Sequence, residues 1–339
     1  MTPLRRRRLA LALLTAALAS AAFSACGDTA QPDPVKAELL SLCTRTEQTD
    51  TMDVTNTDEL TSALAGARPG QRIFVADGDY KGKFAITAPG TQAAPISLCA
   101  AKGATLVGGN SGYTLHLDGA DWWSVQGLTV TGGKKGIMLD AVDHSSLVDL
   151  KVADTGQEAV HLRTNSSDNV VIGLSIESTG REDPKFGEGV YIGSAESNWC
   201  RYTDCQPDRS DRNRILGNTF GPDVTAENID IKEGTAAGVV EGNSLNGEGA
   251  TAADSWVDVK GNEWVLRGNT GTAAKADGMQ VHAVADGWGR RNRFEANSMT
   301  VNAPGYGIQV FKNVTGTIVA CSNTAAGAAS GLSNVPCTS

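Results

Sequence analysis

The chain has 339 residues, 39 of them glycine, with 7 cysteines and a formal net charge of −9. Four arginines and no acid lie in the first 25 residues, so the remainder is four units more negative than the whole. Such an acidic balance argues against nucleic acid and anionic membrane as direct partners, while local basic clusters leave an anionic polysaccharide open.

Arg5, Arg6, Arg7 and Arg8 precede an uncharged apolar run from Leu9 to Ala22. That run is short for a membrane span and has the form of a signal peptide over residues 1–25. It ends at Phe23-Ser24-Ala25-Cys26, which resembles a bacterial lipobox with Cys26 as the lipidated residue. An ordinary secretory cleavage nearby is the alternative. Either way the expectation is an exported monomer, secreted or held at the cell surface, that meets the membrane only through a lipid anchor.

The cysteine count agrees with the anchor. An odd number in an exported chain leaves one unpaired, and setting Cys26 aside leaves six. Proximity suggests Cys43–Cys99, Cys200–Cys205 and Cys321–Cys337, one of many connectivities six cysteines allow. An oxidising compartment would keep such bridges.

Residues 26–53 are polar, with two early prolines, and read as a tether. Asn56-Thr57-Asp58-Glu59 resembles a capping box, and Leu60, Ala63 and Leu64 have helical spacing. A short capping helix is therefore predicted, stopped by Arg68-Pro69-Gly70.

An internal repeat dominates the rest of the chain. A phrase of apolar, variable, small and Asn residues ends at Asn218, Asn243, Asn269 and Asn297, with a degenerate copy at Asn323. The steps are 25, 26, 28 and 26 residues, which is a solenoid period. Stacked asparagines can hydrogen-bond up the stack, and Asn tolerates the left-handed backbone of a corner. A second phrase alternates with the first. It runs from Gly136-Ile137-Met138-Leu139-Asp140 through Asn228-Ile229-Asp230-Ile231-Lys232 to Gly307-Ile308-Gln309-Val310-Phe311. Each copy is a period-2 strand with two apolar residues inward. The prediction is all-β: a right-handed parallel β-helix over residues 54–325, followed by a disulfide-tied tail over 326–339.

Parallel strands in successive coils lie about 4.8 Å apart, so equivalent outward residues stack in rows. One row reads Met138, His161, Tyr191, Asp230, Asp258, Gln280, Gln309. The next reads Asp140, Arg163, Gly193, Lys232, Lys260, His282, Phe311. A third reads Glu158, Glu188, Glu227, Ser255, Asp277, Tyr306. Asp230 beside Asp258, and Lys232 beside Lys260, place like charges on neighbouring strands, which a face built only for solubility avoids. Mutual neutralisation of Asp and Lys within each strand is the plainer explanation. The longest inserts flank Tyr191 and Asp230, and one carries Trp199, Cys200, Arg201, Tyr202 and Cys205. Trp288 and Arg290 come after His282. Aromatic rings and guanidinium forks suit sugar faces and carboxylates. His161, Arg163, Tyr191, Asp230, Asp258, Gln280, Trp288 and Arg290 are thus candidate substrate contacts, with His116 and His144 structural.

These features resemble the β-helix polysaccharide lyases of the chondroitinase B and alginate lyase type, within the pectin-lyase-like superfamily. The resemblance rests on Ala67-Arg68-Pro69-Gly70-Gln71-Arg72-Ile73, Asp77-Gly78-Asp79-Tyr80, Pro95-Ile96-Ser97-Leu98 and the strands around Glu188, Glu227 and Lys232. It implies calcium held by Glu188 and Glu227, with Asp230 a possible third ligand. It implies Lys232 as the base, Lys260 where the family has an arginine, and Thr225 where a further acidic ligand is expected. Lys260 or His282 would protonate the leaving oxygen. The expected reaction is β-elimination on a uronic-acid polysaccharide, because positive charge on the uronate carboxylate stabilises the enolate formed when C5 loses its proton. Two other readings stay open: an inverting hydrolase using Asp230, Asp258 and Asp277, and a non-catalytic carbohydrate-binding β-helix.

Overall fold

A computed structural model describes residues 34–101 and 103–339. The signal segment 1–25 and Cys26 lie outside them. Among the described residues three parallel sheets form, of 11, 10 and 10 strands. The first runs from Asp50–Val54 to Ile318–Val319, the second from Phe84–Ile86 to Gly331–Ser333, and the third from Gly78–Lys81 to Thr324–Ala328. Every neighbour in a sheet is the equivalent strand of the next coil, so the chain is a parallel β-helix, as its period predicted. The second sheet carries the outward rows and is termed the ladder sheet.

Alternation builds the core. Val160, Leu162, Val190, Ile192, Ile229, Ile231, Val257 and Val259 point inward and are fully buried. Their burial is the main term holding the coils together. Trp123, Trp256 and Trp264 are enclosed as well, each with its indole N–H satisfied: by Ala88 O at 2.7 Å, Thr272 O at 2.9 Å and Thr235 Oγ1 at 3.2 Å.

The asparagine stack forms, with one change from the expectation. Asn218 N donates to Asn243 Oδ1 at 2.9 Å, Asn243 N to Asn269 Oδ1 at 2.9 Å, Asn269 N to Asn297 Oδ1 at 3.0 Å and Asn297 N to Asn323 Oδ1 at 3.0 Å. The left-handed corner belongs to the residue before each of the first four asparagines: Gly217 at φ 57°, Gly242 at 66°, Gly268 at 62° and Ala296 at 53°. The small residue makes the turn, and the asparagine satisfies the backbone amide that the turn leaves bare. A second stack, Ser145 N to Asn169 Oδ1 and Asn169 N to Asn213 Oδ1, runs beside it.

Both ends are more ordered than the sequence suggested. The capping helix is Thr57–Ala65, with Glu59 N donating to the Asn56 side chain and Leu60, Ala63 and Leu64 buried. The expected tether over 26–53 does not hold from residue 34 onward. Pro34–Ser41 is a helix whose Leu39 packs on Val148, Ile172 and Leu216. Gln126 Nε2 donates to Leu39 O at 2.6 Å, and Asp50–Val54 pairs with Gln71–Val75. Three outward apolar residues on successive coils need a cover, and Leu39 supplies it. At the far end Gly331–Ser333 pairs with Tyr306–Val310, so the tail completes a coil. Cys43–Cys99, Cys200–Cys205 and Cys321–Cys337 are all bonded.

Candidate active site

The ladder sheet places the predicted rows in register. Met138 faces His161, His161 faces Tyr191, Tyr191 faces Asp230, Asp230 faces Asp258, Asp258 faces Gln280, and Gln280 faces Gln309. Short inward-outward strands such as Ile229–Ile231 and Val257–Val259 fix these positions, because their two flanking residues are locked in the core.

The middle coils hold a compact charged cluster. Lys232 Nζ lies 2.6 Å from Asp230 Oδ2, and Lys260 Nζ lies 2.9 Å from Asp230 Oδ1. Lys260 also pairs with Asp258. Asp230 is 2% exposed and Asp258 8%. The like-charge neighbours are therefore interleaved: lysines bridge carboxylates within each strand and between coils. Burial opposes ionisation of Asp230, but Lys260 and Lys232 outweigh it and lower its pKa. Burial likewise opposes both ammoniums, yet Asp230 raises the pKa of Lys232, and Asp230 with Asp258 raises that of Lys260. Both lysines are held as cations in this ligand-free arrangement. The Lys232 ammonium sits 4.9 Å over the Tyr191 ring. Burial, reinforced by Asp230, pushes the Tyr191 phenol well above its ordinary pKa and keeps it protonated.

The third row supplies acids to the same face. Glu188, Glu227 and Asp230 each offer a carboxylate oxygen, all within 4.8 Å of one another. Burial, then Glu158 and Asp230, pushes Glu188 well above the usual carboxylate range. Burial and Asp230 push Glu227 up to about 7. Glu188 Oε2 is buried without a hydrogen-bond partner. Crowded oxygen donors, one of them orphaned, suit a hard divalent cation. Thr225 does not join them; its hydroxyl lies within donating reach of two carbonyls, Thr179 O at 3.2 Å and Pro184 O at 3.1 Å.

On one side of the cluster, His282 Nε2 lies 3.2 Å from Asp258 Oδ1 and 2.9 Å from Gln280 Oε1, and its ring stacks on Phe311 at 3.9 Å. Burial lowers its pKa, against the pull of Asp258. Asp277 is engaged by Gln280 Nε2 at 2.9 Å and Tyr306 N at 2.6 Å. Gly289 N donates to Lys260 O at 2.9 Å, which seats the turn carrying Trp288 and Arg290 beside the lysine strand. Arg209 approaches the Trp288 ring at 5.6 Å, and the Arg290 side chain pairs with Asp286.

On the other side lies a groove of about 580 Å³ whose lining includes His161, Arg163 and Tyr191. His161 Nε2 meets Gly193 O at 3.0 Å, and its ring centroid is 4.4 Å from that of Tyr191. Arg163 is held by Asp140 at 2.6 Å and lies 4.0 Å over the Tyr202 ring. His116 bonds Asp140, and His144 stacks on Trp122. Lys135, absent from the sequence-based candidates, pairs with Glu158. It occupies the third-row position one coil earlier, so extending that row's offset upstream would have found it.

Comparison with known proteins agrees with this geometry. No family model and no curated protein matches the chain. Among solved structures, an alginate lyase from Paenibacillus sp. str. FPU-7 is 36% identical, with a TM-score of 0.79, and the match covers 84% of this chain and 98% of that one. Pectate lyase Pel9A is 15% identical, TM-score 0.58, covering 86% and 82%. A lacto-N-biosidase from Eubacterium ramulus is 10% identical, TM-score 0.62, covering 81% and 60%. The last two share the fold alone, and one of them is named as a glycosidase, so the coil architecture by itself does not select the reaction. Taken with the lysine and carboxylate ladder, the extensive match to the first places this chain in the pectin-lyase-like β-helix polysaccharide lyases.

Proposed function

We propose that the protein is an exported lyase that cleaves a uronate polysaccharide, alginate in the first place, by β-elimination at Lys232. The observation that carries this reading is the buried Asp230–Lys232–Lys260–Asp258 cluster beside an acidic trio, on one face of a chain 36% identical to an alginate lyase. The exported character rests on the leader-like segment 1–25, with Cys26 as the lipid site.

Each residue of the cluster has its own part in the reaction. Lys260 supplies fixed positive charge for the substrate carboxylate, which makes the C5 proton removable. Calcium bound by Glu188, Glu227 and Asp230 would add Lewis-acid charge at the same carboxylate. Lys232 takes the C5 proton, the C5–H pair forms the C4–C5 double bond, and the C4–O4 bond breaks. The departing oxygen takes a proton from the hydroxyl of Tyr191, whose ring lies beneath the Lys232 ammonium. Because Asp230 holds Lys232 as an ammonium, the lysine must first lose its proton, so activity rises toward alkaline pH.

Elimination fits better than hydrolysis. A single Lys260 ammonium touches both Asp230 and Asp258, which keeps those carboxylates closer than the roughly 6.5–9.5 Å that an inverting pair leaves for water. Asp277 is occupied by its two donors. The test is a panel of alginate, pectate, glucuronan and glycosaminoglycan, with and without chelator. Unsaturated, ultraviolet-absorbing ends on alginate are expected; their absence from every substrate sinks the reading.

A further inference from the structure

We propose that the groove upstream of Tyr191 is a polyuronate subsite, in which Lys134 and Arg201 receive substrate carboxylates and Phe186 receives a sugar face. This rests on the lyase reading and specifies where the uncleaved polymer lies.

The groove joins the reaction centre through Tyr191, which lines it and carries Lys232 over its ring. Its cations fall into two kinds. Lys135 and Arg163 are neutralised by Glu158 and Asp140. Lys134 and Arg201 have no carboxylate partner among the described residues, and both are exposed. The groove is lined by four cations, Lys134, Lys135, Arg163 and Arg201, against the carboxylates of Glu158 and Asp183, and in a chain of net charge −9 this local positive excess suits an anionic ligand. Lys134 and Arg201 come from different segments. Lys134 directly precedes the ladder strand Lys135–Asp140, whereas Arg201 lies in the short helix Trp199–Tyr202 of the loop stapled by Cys200–Cys205. Phe186 is 48% exposed at the end of the Pro184–Phe186 turn, and Thr225 anchors that turn through Pro184 O. A large ring left in water at the edge of a basic groove gains from an amphipathic sugar ring. Three coil steps separate the Tyr191 strand from the strand opening at Tyr113, about 14 Å, enough for more than one sugar.

Binding is measured apart from turnover, by affinity electrophoresis on alginate at two salt concentrations, in a Lys232→Ala background that keeps the polymer intact. The Lys134→Ala, Arg201→Ala double variant should bind about tenfold more weakly or worse, with a shallower salt dependence, since charge-assisted contacts are lost. Phe186→Ala should weaken binding and leave the salt dependence unchanged. Lys81→Ala removes an exposed cation outside the groove and should change nothing. Alginate affinity in the double variant equal to that of its parent overturns the inference. So does an equal loss from Lys81→Ala, which would mean only diffuse charge matters. A protein that binds in this pattern but yields no unsaturated product keeps the subsite and loses the lyase reading.

Discussion

Lys260 Nζ reaches across one coil step to Asp230 Oδ1, 2.9 Å away, and so ties two neighbouring coils through the middle of the ladder face. The contact solves a packing problem, since two aspartates and two lysines in register would otherwise repel. It also leaves Lys232 with a carboxylate partner and with its ammonium over the Tyr191 ring, the arrangement the proposed elimination uses.

Replacing Lys232 tests the base directly. Lys232→Ala should lower kcat by about a hundred- to ten-thousandfold, the range for losing a positioned base. Lys232→Arg should not rescue it, because a guanidinium does not give up its proton. Initial rates from ultraviolet absorbance check both, and circular dichroism checks the fold, which should persist because Asp230 keeps Lys260.

Asp230→Asn should act on stability and pH together. Removing the carboxylate leaves Lys232 without its ion-pair partner and Lys260 with one fewer, at a cost of about 3–5 kcal/mol for breaking a buried pair. Thermal unfolding reads this loss. Without Asp230 the Lys232 pKa falls, so whatever activity remains should show its acid limb at lower pH than in the parent chain.

Protein stripped with chelator should lose stability as pH rises from about 4.5 toward 7. Glu227 has its folded pKa raised from 4.5 to about 7, so its favourable contribution is complete below 4.5 and is lost on passing through 7. Glu188 is shifted the same way and adds to the trend. Calcium should reverse the loss by mass action, by about 2.7 kcal/mol at a hundredfold excess over Kd. Glu188→Gln combined with Glu227→Gln should abolish both the pH trend and the calcium response, as seen in unfolding midpoints across the pH series.

Asn243→Ala should weaken the scaffold. Its Oδ1 accepts from Asn218 N and Asn218 Nδ2, and its own Nδ2 donates to Ile215 O. The substitution orphans these buried groups at about 1–3 kcal/mol each. Urea unfolding should show the loss, while KM stays near the parent value because the ladder face is untouched.

Much of this architecture was legible from spacing. The 25- to 28-residue steps marked the coils, and the two-residue alternation marked the side of the sheet on which Asp230, Lys232, Asp258 and Lys260 stand. Side-chain partnerships were less legible. Lys260 pairs with Asp230 across coils, a choice that depends on rotamers rather than register. The Asn169–Asn213 stack was hidden because an insert stretches its step to 44 residues. The Pro34–Ser41 helix looked like tether because its anchors Leu39 and Lys36, which pairs with Asp149, follow no periodic pattern, and the Leu39 partners Val148, Ile172 and Leu216 are scattered over three coils. Lys134 and Phe186 lie in turns, where no ladder position marks them.

Alginate digestion followed by ultraviolet absorbance and product mass tests the central claim most directly, with wild-type and Lys232→Ala protein side by side. The account predicts absorbing oligomers, each one water lighter than the saturated oligomer, from wild type, and almost none from the variant. Saturated products from wild type, or absorbing products released by Lys232→Ala at the wild-type rate, would contradict it.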